Sequence, residues 1–153
     1  MSFDPSKFLE QSTDKAMQTS MSPCPEGEYL AQVEKVEPFP VKDKETQQIR
    51  NDAFRLQITW DILDNELLES IDRKGITVRQ SIFVDLDEDG SFADGKDKNV
   101  GLGKLRDAVN QNSGSWRPTD LIGQQALVKV THRPNPQDDS QVYAQVSAVT
   151  RPE

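Results

Sequence analysis

The sequence predicts a mainly β protein: a five-stranded antiparallel barrel with one helix between strands three and four. Three observations carry this reading. Apolar and polar residues alternate strictly from Phe54 to Ile62, the pattern of a strand with one buried face. One stretch, 99–114, changes to three- and four-residue spacing, the period of a helix with an apolar side. Two more alternating segments follow it, at 125–134 and 140–152.

Size and composition set the bounds. A chain of 153 residues favours one domain with enough length for a hydrophobic core. Hydrophobic residues at 34% and charged residues at 29% describe a soluble globular domain with solvated segments, not a wholly disordered chain. The 18 basic and 26 acidic side chains leave a net charge of −8. That argues against a broad positive surface but not against a small basic groove. Cys24 is the one cysteine, which excludes an internal disulfide and points to a reducing compartment. There is no basic-plus-apolar leader, and no apolar run approaches the roughly 18 residues of a membrane span. The expected location is cytosolic, with no membrane partner.

Residues 1–26 read as an N-terminal arm in which Phe3, Phe8, Leu9 and Met17 are scattered among polar residues. A short helix is expected from about Pro5 to Lys15, with Asp4 as its cap and Pro5 in its first turn. Such an arm packs either on its own domain or on a partner. The barrel domain is expected to span 27–153. Its first strand, EYLAQVEKVEP, ends near Pro38, and the polar, proline-punctuated PFPVKDKETQQIRND reads as a long loop. In the second strand Phe54, Leu56, Ile58, Trp60 and Ile62 face the core while Arg55, Gln57, Thr59 and Asp61 face away. DNELLESIDRKG is a turn segment leading into ITVRQSIFVDL, where Ile76, Val78, Ile82 and Val84 share one face and Arg79 and Phe83 the other. The helix uses Leu102, Leu105 and Val109, with Gly114 as its stop. SWRPTDLIG connects to the fourth strand, QALVKVTHRP, and NPQDD turns the chain into the fifth, SQVYAQVSAVTRP. A curled barrel gives each edge a neighbour, and a helix between its third and fourth strands is the arrangement of an OB-fold, although composition alone does not choose it over another small β-barrel with one helix.

The acidic stretch DLDEDGSFADGKDK, 85–98, has two readings. Asp85, Asp87, Asp89 and Gly90 match the first half of a calcium loop, but its twelfth position, where a bidentate glutamate belongs, is Lys96. No helix enters it. A solvated rim built on tight turns accounts for the stretch better. It holds six acidic residues and two lysines, or −4 of the total −8, and so is expected to point away from any nucleic acid.

Catalytic and cofactor motifs are nearly absent. His132 and Cys24 are the one histidine and the one cysteine, with no motif around either. A zinc site needs about four ligands, and GLG at 101–103 lacks the spacing and lysine of a phosphate loop. No enzyme activity and no cofactor is expected. What remains is a polar sheet face: Arg55, Gln57 and Thr59 on the second strand, Arg79 and Phe83 on the third. Cations near phosphates and rings against bases are how single-stranded nucleic acid is held. Lys35, Lys129, Tyr143 and Trp116 would extend that surface. Each has a structural alternative: Phe83 covers the barrel end or packs under the helix, Trp116 plugs the helix-to-strand connection, and the arginines pair with nearby carboxylates. Trp60 is assigned to the core.

PEGEYLAQVEKVEP (25–38), FRLQITWDIL (54–63), GITVRQSIFVDL (75–86), GLGKLRDAV (101–109), LIGQQALVKV and VYAQVSAV together resemble a family of small phage-encoded proteins similar to single-stranded DNA-binding proteins. The resemblance implies an OB-type barrel and a role in phage replication or recombination, in the host cytoplasm. It maps no individual binding residue. The expected function is non-catalytic single-stranded DNA binding, with a homo-oligomer or replication proteins as further partners. The alternative is a virion structural or capsid-decorating protein. It rests on the acidic surface, the long arm, and a chain that ends VSAVTRPE without an acidic tail.

Overall fold

The computed structural model describes residues 4–17, 21–135 and 138–152. In chain order the elements are α1 (Pro5–Leu9), β1 (Gly27–Lys42), β2 (Ile49–Ile62), α2 (Asn65–Ser70), β3 (Thr77–Asp85), α3 (Val100–Ala108), a 3-10 turn (Pro118–Leu121), β4 (Gln125–Asn135) and β5 (Asp138–Thr150). The strands close into a barrel in the order β1-β2-β3-β5-β4, with α3 between β3 and β4. This is the expected OB-like architecture, with one correction.

The correction concerns direction. β1–β2, β2–β3, β4–β5 and β1–β4 are antiparallel, but β3 and β5 run parallel where they meet at Arg79 and Gln145. Geometry requires this. A closed ring with an odd number of strands cannot alternate direction at every contact, so a wholly antiparallel five-stranded barrel was never available.

β2 behaves as its alternation demands. Leu56, Ile58, Trp60 and Ile62 are buried, while Arg55, Gln57 and Thr59 lie on the outer side. Ile76, Val78, Ile82 and Val84 from the β3 region, Ala31 and Val33 from β1, and Val128 and Val130 from β4 complete the barrel interior. Trp60 is fully buried, and its Nε1–H donates to Gln80 Oε1 at 3.0 Å, so the indole keeps its one polar group satisfied. α3 turns Leu102 and Leu105 into this core and packs against β3 and β5.

Three boundaries differ from expectation. β1 does not end near Pro38 but continues to Lys42, pairing Pro38 with Leu56 and Pro40 with Phe54. Beyond Gln32 β1 has β4 on neither side, so its outer edge needs no donors and proline is tolerated there. The turn segment after β2 holds α2, capped by Asp64, whose carboxylate accepts the Leu67 N–H at 3.1 Å. α3 stops at Ala108 rather than near Gly114, because Asn110 adopts a left-handed φ of 58°. Gln111 N–H then bonds Arg106 O at 2.7 Å and Asn110 N–H bonds Asp107 O at 3.0 Å, the paired closure of a Schellman motif.

In the arm, α1 is shorter than the expected Pro5–Lys15. Asp4 does cap it, its side chain accepting from Ser6 N at 3.0 Å. Phe8 and Leu9 are exposed. Residues 21–26 are different in kind, for Cys24 belongs to the barrel core. Phe3 lies outside the described residues, as do positions 136 and 137 of the NPQDD turn.

Candidate nucleic-acid interface

The outer side of β1, β2 and β3 is ordered in transverse rows by strand register. Phe39, Arg55 and Phe83 form one row, Glu37, Gln57 and Ser81 the next, and Lys35, Thr59 and Arg79 the third. Because side chains alternate across a strand, all of these point away from the core. Arg55 and Arg79 are two rows apart, roughly 13 Å along the strands.

A groove of about 660 Å³ joins them. Its lining includes Arg55, Gln57, Arg79 and Ser81 from the sheet, Tyr143 and Gln145 from β5, Arg73 from the α2–β3 turn, and Met21–Cys24 from the arm. No aspartate or glutamate is on its wall among the described residues. Neither Arg55 nor Arg79 makes an ion pair or a side-chain hydrogen bond among the described residues. The alternative that both pair with local carboxylates therefore does not hold.

Arg55 also borders a second groove of about 800 Å³, shared with Phe83, Arg50 and the β1–β2 tip at Lys42–Glu45. The tip is built by Asp43, whose carboxylate accepts the Glu45 N–H at 2.8 Å and the Thr46 N–H at 3.2 Å. Those backbone bonds hold Asp43 below the usual carboxylate range, Glu45 first and Thr46 second. Arg50 lies 5.5 Å from the Phe83 ring centre and is bound bidentately by Asp52 at 2.9 and 3.0 Å. Its charge is therefore largely answered, unlike that of Arg55. Phe83 is 45% exposed and covers neither the barrel end nor the underside of α3 completely.

The expected residues thus divide. Arg55, Gln57, Arg79 and Tyr143 line one groove, and Phe83 joins them through Arg55 in the adjoining one. Lys35 shares a row with Arg79 but sits on β1 with Glu37 3.7 Å away. Lys129 is on β4, flanked by Glu28 and Ala148, and lines neither groove. Trp116 is the plug: half-buried against the core, it lies under the Arg106 guanidinium at 4.7 Å and donates from Nε1 to Gln111 Oε1 at 2.9 Å. Phe39, Arg50 and Arg73 were not expected here. Phe39 and Arg50 fell in the stretch read as loop, and Arg73 in a turn that only the tertiary fold brings to the groove.

The acidic stretch is a tight reversal bridged at Leu86 and Phe92. Asp89 Oδ1 accepts from Ser91 N at 3.0 Å and Ser91 Oγ at 2.6 Å. Asn99 fastens its base, accepting from Asp85 N at 2.7 Å and donating to Asp85 O at 3.0 Å and Ala93 O at 2.8 Å. Asp89 is thus engaged within the reversal, and no cluster of three or more metal-ligating side chains occurs among the described residues. None of 85–98 lines either groove.

Cys24 and His132 do meet, but not as a catalytic pair. His132 Nε2 lies 2.7 Å from the Cys24 carbonyl oxygen, while the thiol is directed to Pro25 O at 3.6 Å. Burial pushes the thiol pKa up, with the Arg73 charge opposing it only in part. Compared with known proteins, the chain matches no family model, no curated protein and no solved structure.

Proposed function

We propose that this protein is a non-catalytic single-stranded DNA binder of phage replication or recombination, and that the strand lies along the outer side of β2 and β3. The observation that carries the reading is the pair of guanidinium groups, Arg55 and Arg79, which have no partner among the described residues and share one groove without a carboxylate on its described wall. Exposed rings accompany them: Phe39 and Phe83 beside Arg55, and Tyr143 from β5 on the lining of the same groove. Guanidinium groups answer phosphates, and rings offer a stacking surface to any base. In a chain of net charge −8, a carboxylate-free groove is where a polyanion meets least repulsion. The resemblance to phage single-stranded DNA-binding-like proteins supports the same reading.

Fluorescence anisotropy with a labelled mixed-sequence oligonucleotide, beside the same sequence as duplex, tests it. Binding is expected to favour the single strand and to weaken with salt, the slope of log K against log salt being about 0.7 for each phosphate neutralised. Reversing both Arg55→Glu and Arg79→Glu is expected to abolish binding while leaving the thermal transition in place. No binding at low salt would sink the proposal.

One observation favours a second reading, a virion structural or decorating protein anchored by its arm: α1 buries nothing, and Phe8 and Leu9 are exposed. That reading requires the chain in purified particles at a fixed ratio to the shell protein. Its presence in infected-cell lysate alone would remove it.

A further inference from the structure

We infer that Arg73 is a third phosphate anchor of the groove, held ready by the arm segment Met21–Cys24. This rests on the single-strand reading above and adds a residue and an element to it. Arg73 belongs to the short turn between α2 and β3, outside the sheet face, yet it lines the same groove as Arg55 and Arg79. Its Nη1 donates to the Ser22 carbonyl oxygen at 3.2 Å, and this is its one side-chain hydrogen bond among the described residues. A guanidinium has five N–H donors in a rigid fork, so the others stay open to a ligand. A backbone carbonyl fixes the group without cancelling its charge, as a carboxylate would.

The carbonyl is itself fixed. Cys24, two residues on, is buried in the barrel core. His132 Nε2 lies within bonding distance of Cys24 O at 2.7 Å, and His132 N–H donates to Glu26 Oε2 at 3.1 Å. The Tyr29 hydroxyl donates to Pro25 O at 2.9 Å. These contacts tie 22–26 to β1 and β4, so the arm forms a wall of the groove and not a loose leader. Arg55 and Arg79 stand exposed on the sheet, whereas Arg73 is half-buried and oriented before any ligand arrives. Less ordering remains to be done when a phosphate binds it.

The test uses full-length protein and an oligo-dT strand, with affinity followed across a salt series. Arg73→Gln is expected to lower the salt slope by about 0.7, the loss of one neutralised phosphate. Lys74→Gln removes the same charge one position away but outside the groove, and is expected to leave the slope unchanged. Arg73→Lys is expected to keep the slope. It weakens binding, because a point charge cannot bond Ser22 O and a phosphate in one planar fork. If Arg73→Gln changes the slope no more than Lys74→Gln, Arg73 merely clamps the arm and the inference falls. If the parent protein itself shows no salt-dependent binding, the single-strand reading falls and takes this one with it.

Discussion

Arg55 on β2 and Phe83 on β3 face each other directly across the ladder, and Phe39 faces Arg55 from β1 on the other side. A cation with no ion pair among the described residues thus stands between two exposed rings on one row of the barrel. Directly opposed side chains interact as units, with Cβ atoms about 5 Å apart. Phe83→Ala is therefore expected to weaken single-strand binding by about 1–3 kcal/mol, the range for losing one stacked base. Stability should change little, since surface substitutions usually stay within about 0.5 kcal/mol. Combined with Arg55→Gln in a double-mutant cycle, the two losses should be non-additive if, as proposed, ring and guanidinium serve one nucleotide. Additive losses would separate them.

On the same ladder Val78 stands opposite Trp60 and Gln80 opposite Ile58, so the Trp60 indole reaches Gln80 diagonally. The indole N–H of the fully buried Trp60 has Oε1 of the half-buried Gln80 as its acceptor. Gln80→Leu is expected to cost about 1–3 kcal/mol, the penalty of an orphaned buried donor. Trp60→Ala should cost about 3–5 kcal/mol through lost burial and the cavity left behind. Urea unfolding checks both; an unchanged midpoint in Gln80→Leu would mean that water or another group satisfies the indole.

How much of this was legible depended on whether a residue's surroundings were local. The alternation from Phe54 to Ile62 assigned each β2 side chain to the correct face, Trp60 included, because a strand's period is fixed by its own backbone. Arg55, Gln57, Arg79 and Phe83 followed from the same rule. Pro38 and Pro40 misled, since proline stops a strand only where both edges need donors, and edge status is a tertiary property. α2 was short enough to show no period, although Asp64 ahead of its first turn was a capping signal. Nothing local distinguishes Arg73 in a turn, or Lys129 on β4, as a groove residue or otherwise. Only closure of the barrel decides that.

Asn99 joins a left-handed backbone, φ 54°, to three hydrogen bonds holding the ends of the acidic reversal. Asn99→Ala loses the bonds and strains the backbone, with an expected cost of roughly 2–4 kcal/mol. Asn99→Gly keeps the conformation accessible and loses only the bonds, so it should be the milder of the two. Thermal melts of both variants separate strain from hydrogen bonding. Equal losses would assign the whole effect to the bonds.

Acid should loosen the two reversals that carboxylates organise. Asp43 is depressed below 3.8 chiefly by the backbone N–H groups of Glu45 and Thr46, and Asp89 chiefly by the side chain and backbone of Ser91. A depressed carboxylate contributes stability that is complete above its unfolded value of about 3.8 and is lost as pH falls through the folded value. Order at the β1–β2 tip and at Asp87–Ser91 should therefore be independent of pH above about 5 and decline below the unfolded value. Carboxyl chemical shifts followed by NMR read this directly. Midpoints at or above the free-aspartate value for both residues would contradict the hydrogen bonds described.

Cys24 offers a way to watch the arm itself. Its side chain is buried, and burial raises its pKa above the ordinary 9.0, more than the Arg73 charge lowers it. Two consequences point the same way. The folded protein holds the proton more tightly than the unfolded chain, so its stability from this group is complete below pH 9 and declines as pH rises through the folded value. Alkylation, which needs the thiolate, should be slow in the native protein at pH 8 and fast in urea. Reaction then requires 21–26 to leave the barrel, and an opening free energy of only about 1.4 kcal/mol slows it tenfold. Since His132 lies against Cys24 O and Arg73 bonds Ser22 O, His132→Ala and Arg73→Gln should each speed alkylation without shifting the global urea midpoint. A bound oligonucleotide should slow it further, because a strand lying in the groove touches the segment that must move. Native alkylation as fast as that of an unfolded thiol would show the segment detached, and the groove would then lack its third wall.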